Sequence, residues 1–238
     1  MKWRSLAEGT PRTDARPLRE ILAERKERIA QYVPAETQAV HARVVEDLRK
    51  QGIAERALTV GATAPDFELT DQNGKPLRSA ELLSQKHLVI TFFRGRWCPF
   101  CVGQMEAMNV IAPQIQDAGA SFVAISPQTV HQSFLMADQH ELRFSLLSDN
   151  GNNVARAFGI RYRVPDEQQQ LYRRTFVNLP FVNGDPSWEL PIPATYIIEP
   201  DHTIAWASID PDYTNRPEPT EILRQLVWQK NKESAHPR

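Results

Sequence analysis

Cys98 and Cys101 stand three apart in the segment FFRGRWCPFCVGQ, and they are the only two cysteines in the 238 residues. A C-x-x-C pair serves either thiol–disulfide redox work or metal ligation. Tetrahedral zinc needs two further ligands. No third cysteine is present, and the six histidines (41, 87, 131, 140, 202 and 236) include no closely spaced pair. No metal site is therefore expected. The inert alternative is a pair of buried structural cysteines, because a free cysteine packs as a small apolar residue. Redox chemistry has the stronger physical ground. HLVITFF, residues 87–93, is a continuous apolar, β-rich run that suits a strand buried on both faces. VGQMEAMNVIAPQIQDAGA then carries Met105, Met108, Ile111 and Ile115 at helical spacing, with Pro113 expected to kink the helix. The dithiol thus falls at a strand-to-helix junction. The first turn of a helix presents unpaired N–H groups and the positive end of its dipole, so a thiolate there is stabilised and its pKa falls below the free value of about 8.5. The spacing lets the second sulfur reach the first within one turn, so a mixed disulfide or a sulfenic acid can be resolved inside the chain.

The neighbours of the pair fit this use. Arg94 and Arg96, just upstream, add positive charge that would favour a thiolate; the plain alternative for Arg94 is a solvated surface arginine. Trp97 would lie over the first sulfur and limit its solvent access, or serve only as a packing aromatic. Pro99 suits the first helical turn, where its missing N–H leaves no bond unmade.

The elements that must position the dithiol alternate along the chain. Asn73-Gly74 marks a hairpin, Ser79 opens a short helix, and strands SFVAIS and FSLLSD alternate with helices TVHQSFLMADQHEL and NNVARAFG. ATYIIE and TIAWAS form a closing hairpin across Pro200-Asp201-His202, and PTEILRQLVWQK ends the domain as a helix with Ile222, Leu223, Leu226 and Val227 facing inward. This pattern predicts an α/β fold with a mixed central sheet flanked by helices. Residues 1–55 are expected to form an N-terminal helical extension. Within it, Leu18, Leu22 and Ile29 mark one apolar stripe and Val40, Val44, Val45 and Leu48 a second, with Pro34 between them and Gly52 as the stop. Two uses are open for this pair of helices: packing on the domain, or an arm for a homodimer or another partner. The domain proper spans 56–230. Within it 161–190, rich in Pro, Asn and aromatics, reads as an irregular insertion, in part helical, and 231–238 as a disordered tail.

Composition excludes several functions. Lysine plus arginine number 28 and aspartate plus glutamate 29, a net charge of −1 with no basic block, which argues against nucleic acid as a partner. The longest apolar run is far too short to span a bilayer. No signal-peptide pattern stands near the start, so a cytoplasmic setting is expected, where paired cysteines are more often catalytic than structural. The glycines are dispersed and form no phosphate-binding loop, and no organic cofactor is implied.

APDFELTDQNGKPLRSAELL, the FFRGRWCPFC core and the late IPATYIIEPD together resemble the peroxiredoxin-like AhpC/TSA branch of the thioredoxin superfamily over residues 60–210. The resemblance implies a thioredoxin-like fold. It also implies that Pro193, before ATYIIE, is a cis-proline facing the dithiol, with Pro191 as competitor. Laid on the family pattern P-x-x-x-T-x-x-C, Cys101 takes the peroxidatic position, Cys98 replaces the threonine and Arg94 the first proline. A later family arginine would fall at Pro193, and Gln104 stands where a glutamate is common. Thioredoxin geometry instead makes Cys98, at the helix start, the attacking thiol. The leading function is a thiol peroxidase that reduces hydroperoxides and is recycled by a thioredoxin-like dithiol reductant. The alternatives are a protein thiol–disulfide oxidoreductase without peroxidase activity, and a redox-sensing module that docks partners through its N-terminal helices.

Overall fold

The computed structural model describes residues 16–84, 86–175 and 177–235. Three helices open it: α1 (Leu18–Tyr32), α2 (Ala35–Lys50) and the short α3 (Ile53–Arg56). Pro34 separates the first two, and Gly52, at φ +64°, takes the left-handed turn that ends the second. A β-hairpin follows, β1 (Glu68–Thr70) and β2 (Pro76–Arg78), turned at Asn73-Gly74. Then come α4 (Ser79–Leu83), β3 (His87–Phe92), α5 (Pro99–Asp117), β4 (Ala120–Ser126), α6 (Val130–Gln139), β5 (Ser145–Ser148) and α7 (Asn153–Ala157). Next are β6 (Arg161–Arg163), α8 (Asp166–Arg174), α9 (Leu179–Asn183) and β7 (Glu189–Pro191), and the chain closes with β8 (Ala194–Ile198), β9 (Ile204–Ile209) and α10 (Pro219–Ala235).

The central sheet has seven strands in the order β2-β1-β5-β4-β3-β8-β9. β3, β4 and β5 run parallel, while β8 pairs antiparallel with both β3 and β9. The mixed sheet and its flanking helices are those expected from the sequence. Every residue of β3 is buried, and its side chains divide with period two. Leu88, Ile90 and Phe92 join a core with Phe158, Tyr196 and Leu48, while Val89 joins Met105, Met108, Ile115, Leu22 and Leu226 on the opposite face. A strand sandwiched this way cannot shift in register without placing apolar residues in water. The loop that leaves it is therefore held at one height, and that loop carries the dithiol.

The N-terminal helices pack on their own domain. Leu18, Ile21 and Leu22 of α1 and Val40, Val44, Val45 and Leu48 of α2 are buried. The first two amides of α1, from Leu18 and Arg19, donate to the Glu218 carboxylate at 2.9 Å, a negative group at a helix N-terminus. A buried charged chain completes the dock. Arg25 of α1 pairs with Glu106 of α5 at 2.8 Å, Glu106 meets His140 Nδ1 at 3.1 Å, and Arg25 also donates to the Pro99 carbonyl. Gly103 makes this approach possible. A Cβ added there would stand 3.0 Å from the Arg25 guanidinium and 3.1 Å from Leu22.

Three expectations are corrected. Residues 161–190 are in part helical, as expected, but they are not irregular: β6 and β7 pair antiparallel, and Val164, Tyr172, Leu179, Trp188 and Leu190 bury one another in a small core of their own. Proline and asparagine serve there as helix starts and caps, as when the Asn178 side chain accepts from the Phe181 amide, rather than as marks of irregular chain. Residues 231–235 continue α10 instead of forming a tail, and 236–238 lie outside the described residues. Val227 is exposed, whereas Ile222 and Leu226 are fully buried, so the inward face of α10 is narrower than its apolar content suggested. α5 holds Pro113 within its span, from Pro99 to Asp117.

The Arg25–Glu106 pair yields a test. Removing one member of a buried ion pair strands the other, at a typical cost of roughly 3–5 kcal/mol. Arg25→Ala should lower the unfolding free energy in urea by about that much, whereas the double variant Arg25→Met/Glu106→Gln should recover a large part of it.

Candidate active site

Cys98 occupies the N-cap of α5 and Pro99 its first turn, as the sequence predicts. Both cysteines are free thiols and are buried, at 1% and 0% exposure. The loop before them makes a sharp turn at Gly95, whose φ of +136° suits glycine. A Cβ there would lie 2.7 Å from the Trp97 indole nitrogen, so glycine also lets Trp97 fold back against the loop. Trp97 then packs edge-on to Tyr172, with centroids 5.2 Å apart, and shares a groove with Cys98.

Arg94 lies at the centre. It is 2% exposed and donates to the Tyr172 hydroxyl. Its guanidinium stands 4.1 Å from the Tyr213 ring centroid and 4.8 Å from that of Trp97. It is no solvated surface arginine. Burial disfavours its charge, but Tyr172, Tyr162 and the sulfur of Cys98 around it hold the proton firmly. Arg96, by contrast, points away. Its amide donates to Gln128 at 2.9 Å and its side chain to Gln132 at 3.2 Å, so the expected contribution of Arg96 to the thiolate goes instead to the anchoring of the loop on α6.

A second cation comes from a residue that no motif marked. Arg216, in the loop after β9, approaches Cys101 Sγ at 3.6 Å, and its Nε donates to Gln104 Oε1 at 2.8 Å. Gln104, where the family pattern commonly has glutamate, is thus an orienting partner for this arginine. Nothing in the sequence near NRPEP signals this role, because it arises from the return of the chain across α5. Arg216 supplies beside the sulfurs the second cation that the family pattern would have put at Pro193. Pro193 itself shares a small pocket of about 170 Å³ with Gln104, Thr195 and Arg216. It is not a cis-proline, since the described residues contain no cis peptide bond. The extended trans path is fixed on both sides, by Ile192 N–H to the Ile160 carbonyl at 2.8 Å and by Asp210 N–H to the Pro193 carbonyl at 3.2 Å.

The two sulfurs differ in acidity. Burial pushes the Cys98 thiol up, but the Cys101 thiol, Arg94, Arg216 and the Cys101 amide together pull it well below the usual range. Cys101 is pushed up, first by burial and then by the neighbouring Cys98 sulfur. One thiolate facing one thiol is the arrangement that nucleophilic attack followed by resolution requires.

The site also takes in the N-terminal extension. A groove of about 660 Å³ runs from Cys98 and Phe100 between α1, α2 and α8. His41 of α2 lies in its wall, 5.8 Å from the Tyr172 ring and 6.0 Å from the Tyr213 ring, and its Nδ1 accepts from Gln168 Nε2 at 2.8 Å. Burial, and secondarily the Arg94 cation, lowers the His41 pKa to about 4. His41, Tyr172 and Tyr213 were not legible as site residues, since each sits in a segment read as extension, insertion or loop.

Sulfur chemistry of this kind on a thioredoxin-like sheet belongs to the thiol-dependent oxidoreductases that act on peroxides. The chain is a member of the AhpC/TSA family, whose model matches residues 60–207. A putative peroxiredoxin of Mycobacterium tuberculosis is 32% identical over 120 residues, half of this chain and 78% of that one. A chloroplastic peroxiredoxin Q of Sedum lineare is 34% identical over 113 residues, 48% of this chain and 60% of its own length. Among solved structures, the peroxidoxin BcpB of Mycobacterium tuberculosis superposes with a TM-score of 0.56 at 24% identity, covering 71% of this chain and 96% of that one, a likeness of fold.

Two outcomes follow. The ultraviolet absorbance of the Cys98 thiolate, followed in the Cys101→Ser variant, should persist from pH 8 to below pH 7 and fade only at more acid pH. Arg94→Met should move that transition upward. His41 gives a stability test. Its folded pKa lies below the unfolded value of about 6.5, so the unfolded chain takes the proton first as pH falls. The stabilisation is complete above pH 6.5 and is lost on the way down to pH 4. By pH 5 the wild type should have lost on the order of 1–2 kcal/mol more than His41→Gln, measured by urea unfolding at each pH.

Proposed function

We propose that the protein is a thiol peroxidase in which Cys98 is the attacking thiolate and Cys101 the resolving thiol. The observation that carries this reading is the placement of Cys98 at the α5 N-terminus beside Arg94, on the floor of the larger groove, with Cys101 one turn behind it. The Cys98 thiolate attacks the distal oxygen of ROOH. A sulfur–oxygen bond forms, the O–O bond breaks, and the leaving alkoxide takes a proton to become ROH. Arg94 and Arg216, both cationic, oppose the negative charge that develops on the oxygens. Cys101 then attacks the sulfenic sulfur, the S–S bond forms, and hydroxide leaves with the Cys101 proton as water. A thioredoxin-like dithiol reopens the disulfide by exchange. A reducing, cytoplasmic compartment suits this cycle, because it supplies that dithiol. If the protein forms a homodimer through α1 and α2, the contact uses their outer faces, because their apolar stripes are buried against the same chain.

A second reading has one observation in its favour. Arg216 stands closest to Cys101, and the family pattern places the peroxidatic sulfur there. Stopped-flow oxidation of the reduced protein by hydrogen peroxide separates the cases. Cys98→Ser should abolish rapid oxidation and sulfenic-acid trapping, and Cys101→Ser should retain both. The reverse result assigns the attack to Cys101. Oxidation of the wild type no faster than that of free cysteine removes the peroxidase reading and leaves disulfide exchange, which insulin reduction would report.

A further inference from the structure

Resting on the peroxidase reading, we infer that Tyr172 is a further catalytic residue, whose hydroxyl protonates the oxygen that departs when the Cys98 thiolate cleaves a hydroperoxide. Attack on the distal oxygen forms the sulfur–oxygen bond, breaks the O–O bond and leaves the other oxygen as an alkoxide or hydroxide, a strong base that requires a proton. Neither cation of the site can give one, because arginine keeps its proton in a folded protein; Arg94 and Arg216 only stabilise the charge. Pro99, in the first turn of α5, has no N–H, and the Cys101 thiol and amide are both engaged with the Cys98 sulfur. Tyr172 meets the requirement. Its hydroxyl oxygen accepts from the Arg94 guanidinium, so its own proton points elsewhere, and no acceptor takes that proton among the described residues. Tyr172 lines the same groove as Cys98. Its ring is held edge-on to Trp97 with centroids 5.2 Å apart and tilted against His41 at 5.8 Å, and its carbonyl accepts the Val177 N–H at 2.8 Å. Burial first, and in smaller part the Cys98 charge, keep the hydroxyl protonated until a stronger base forms beside it. Arg94 acts in the opposite sense, because its hydrogen bond and its charge favour the phenolate left by the transfer. That phenolate regains a proton from solvent through the groove. Overall the sulfur is oxidised, the peroxide is reduced and one solvent proton is consumed. The neighbouring tyrosines suit the role less well. Tyr213 offers Arg94 its ring face rather than its hydroxyl, and Tyr162 does not line the groove.

The test uses the full chain and electrophiles that differ in what their leaving group requires. Hydrogen peroxide releases hydroxide, which must be protonated. Peracetic acid releases acetate, a weak base, and iodoacetamide releases iodide, which takes no proton. Stopped-flow rate constants for loss of the Cys98 thiolate are divided by the thiolate fraction read from its ultraviolet absorbance, which removes any effect of the variant on the acidity of the sulfur. Tyr172→Phe keeps the ring and removes the hydroxyl. It should slow hydrogen peroxide by about 100-fold per thiolate, the usual scale of general acid catalysis. Peracetic acid should be slowed far less, and iodoacetamide not at all. Replacing Tyr172 by a fluorinated tyrosine, which keeps a hydroxyl of greater acidity, should restore most of the hydrogen peroxide rate. Equal slowing of all the electrophiles would make Tyr172 a packing residue and overturn the inference, as would a hydrogen peroxide rate that Tyr172→Phe leaves unchanged; either result leaves the peroxidase intact. Wild-type oxidation by hydrogen peroxide no faster than that of free cysteine, with alkylation still rapid, would instead remove the peroxidase reading and the inference with it.

Discussion

A buried guanidinium with no carboxylate partner among the described residues is the constraint around which this site is arranged. Arg94 is almost wholly withdrawn from water, and desolvation of a cation is expensive unless charge or dipole replaces the lost hydration. Here the replacements are a tyrosine hydroxyl, two aromatic faces and a sulfur that is most stable as an anion. Each requirement meets another. With the Cys101 thiol, the cation pulls the Cys98 pKa down, and the thiolate in turn is a negative group beside the cation. The aromatic faces offer weaker attraction than a carboxylate would. They therefore leave Arg94 poised to act on whichever anion forms at the sulfur.

Supplying those aromatic faces draws on distant parts of the chain. Trp97 is local, but Tyr172 comes from the 161–190 segment and Tyr213 from the loop after β9, and His41 of α2 packs on both tyrosines. The extension is thereby joined to the chemistry by contact as well as by burial. Glu218 caps α1 two residues after Arg216, so the loop that carries the second cation is tied at one end to the first helix. Arg25 ties α1 to the Pro99 carbonyl in the first turn of α5, next to Cys98. Loosening α1 would disturb the Arg216 loop and the first turn of α5 through different routes.

The sheet was largely legible because its signals are local. A continuous apolar run makes β3, Asn73-Gly74 turns the first hairpin, and helical stripes place α2 and α5. The dithiol was legible for the same reason, since three-residue spacing and a strand-to-helix junction are both written in consecutive residues. Arg216 was not, because its function depends on a tertiary approach to Cys101 across 115 positions of sequence. Tyr172 was hidden for a related reason. Its segment is polar, with Gln168 and Gln169 buried beside it, and buried glutamine gives no apolar period to read. Pro193 shows the opposite error: a family position carried over from alignment whose backbone the neighbouring strands hold trans.

The site residues that lie outside the matched family segment concern access and charge rather than sulfur. Cys98, Cys101, Arg94 and Tyr172 lie inside the matched 60–207 segment, whereas His41, Tyr213 and Arg216 lie outside it. The cysteine pair is thus housed by the common fold, while part of its electrostatic shell and one wall of its groove come from chain on either side. Buried sulfurs can react only with what reaches them, so the shape and charge of that approach decide among oxidants that the thiolate alone would treat alike. On this view the N-terminal helices are part of the active site, and their removal would expose a competent nucleophile with its selectivity gone, provided that Arg94 kept its aromatic enclosure. That proviso is severe: His41 packs on both Tyr172 and Tyr213, so the helices that shape the entrance also brace the rings that keep the cation beside the sulfur.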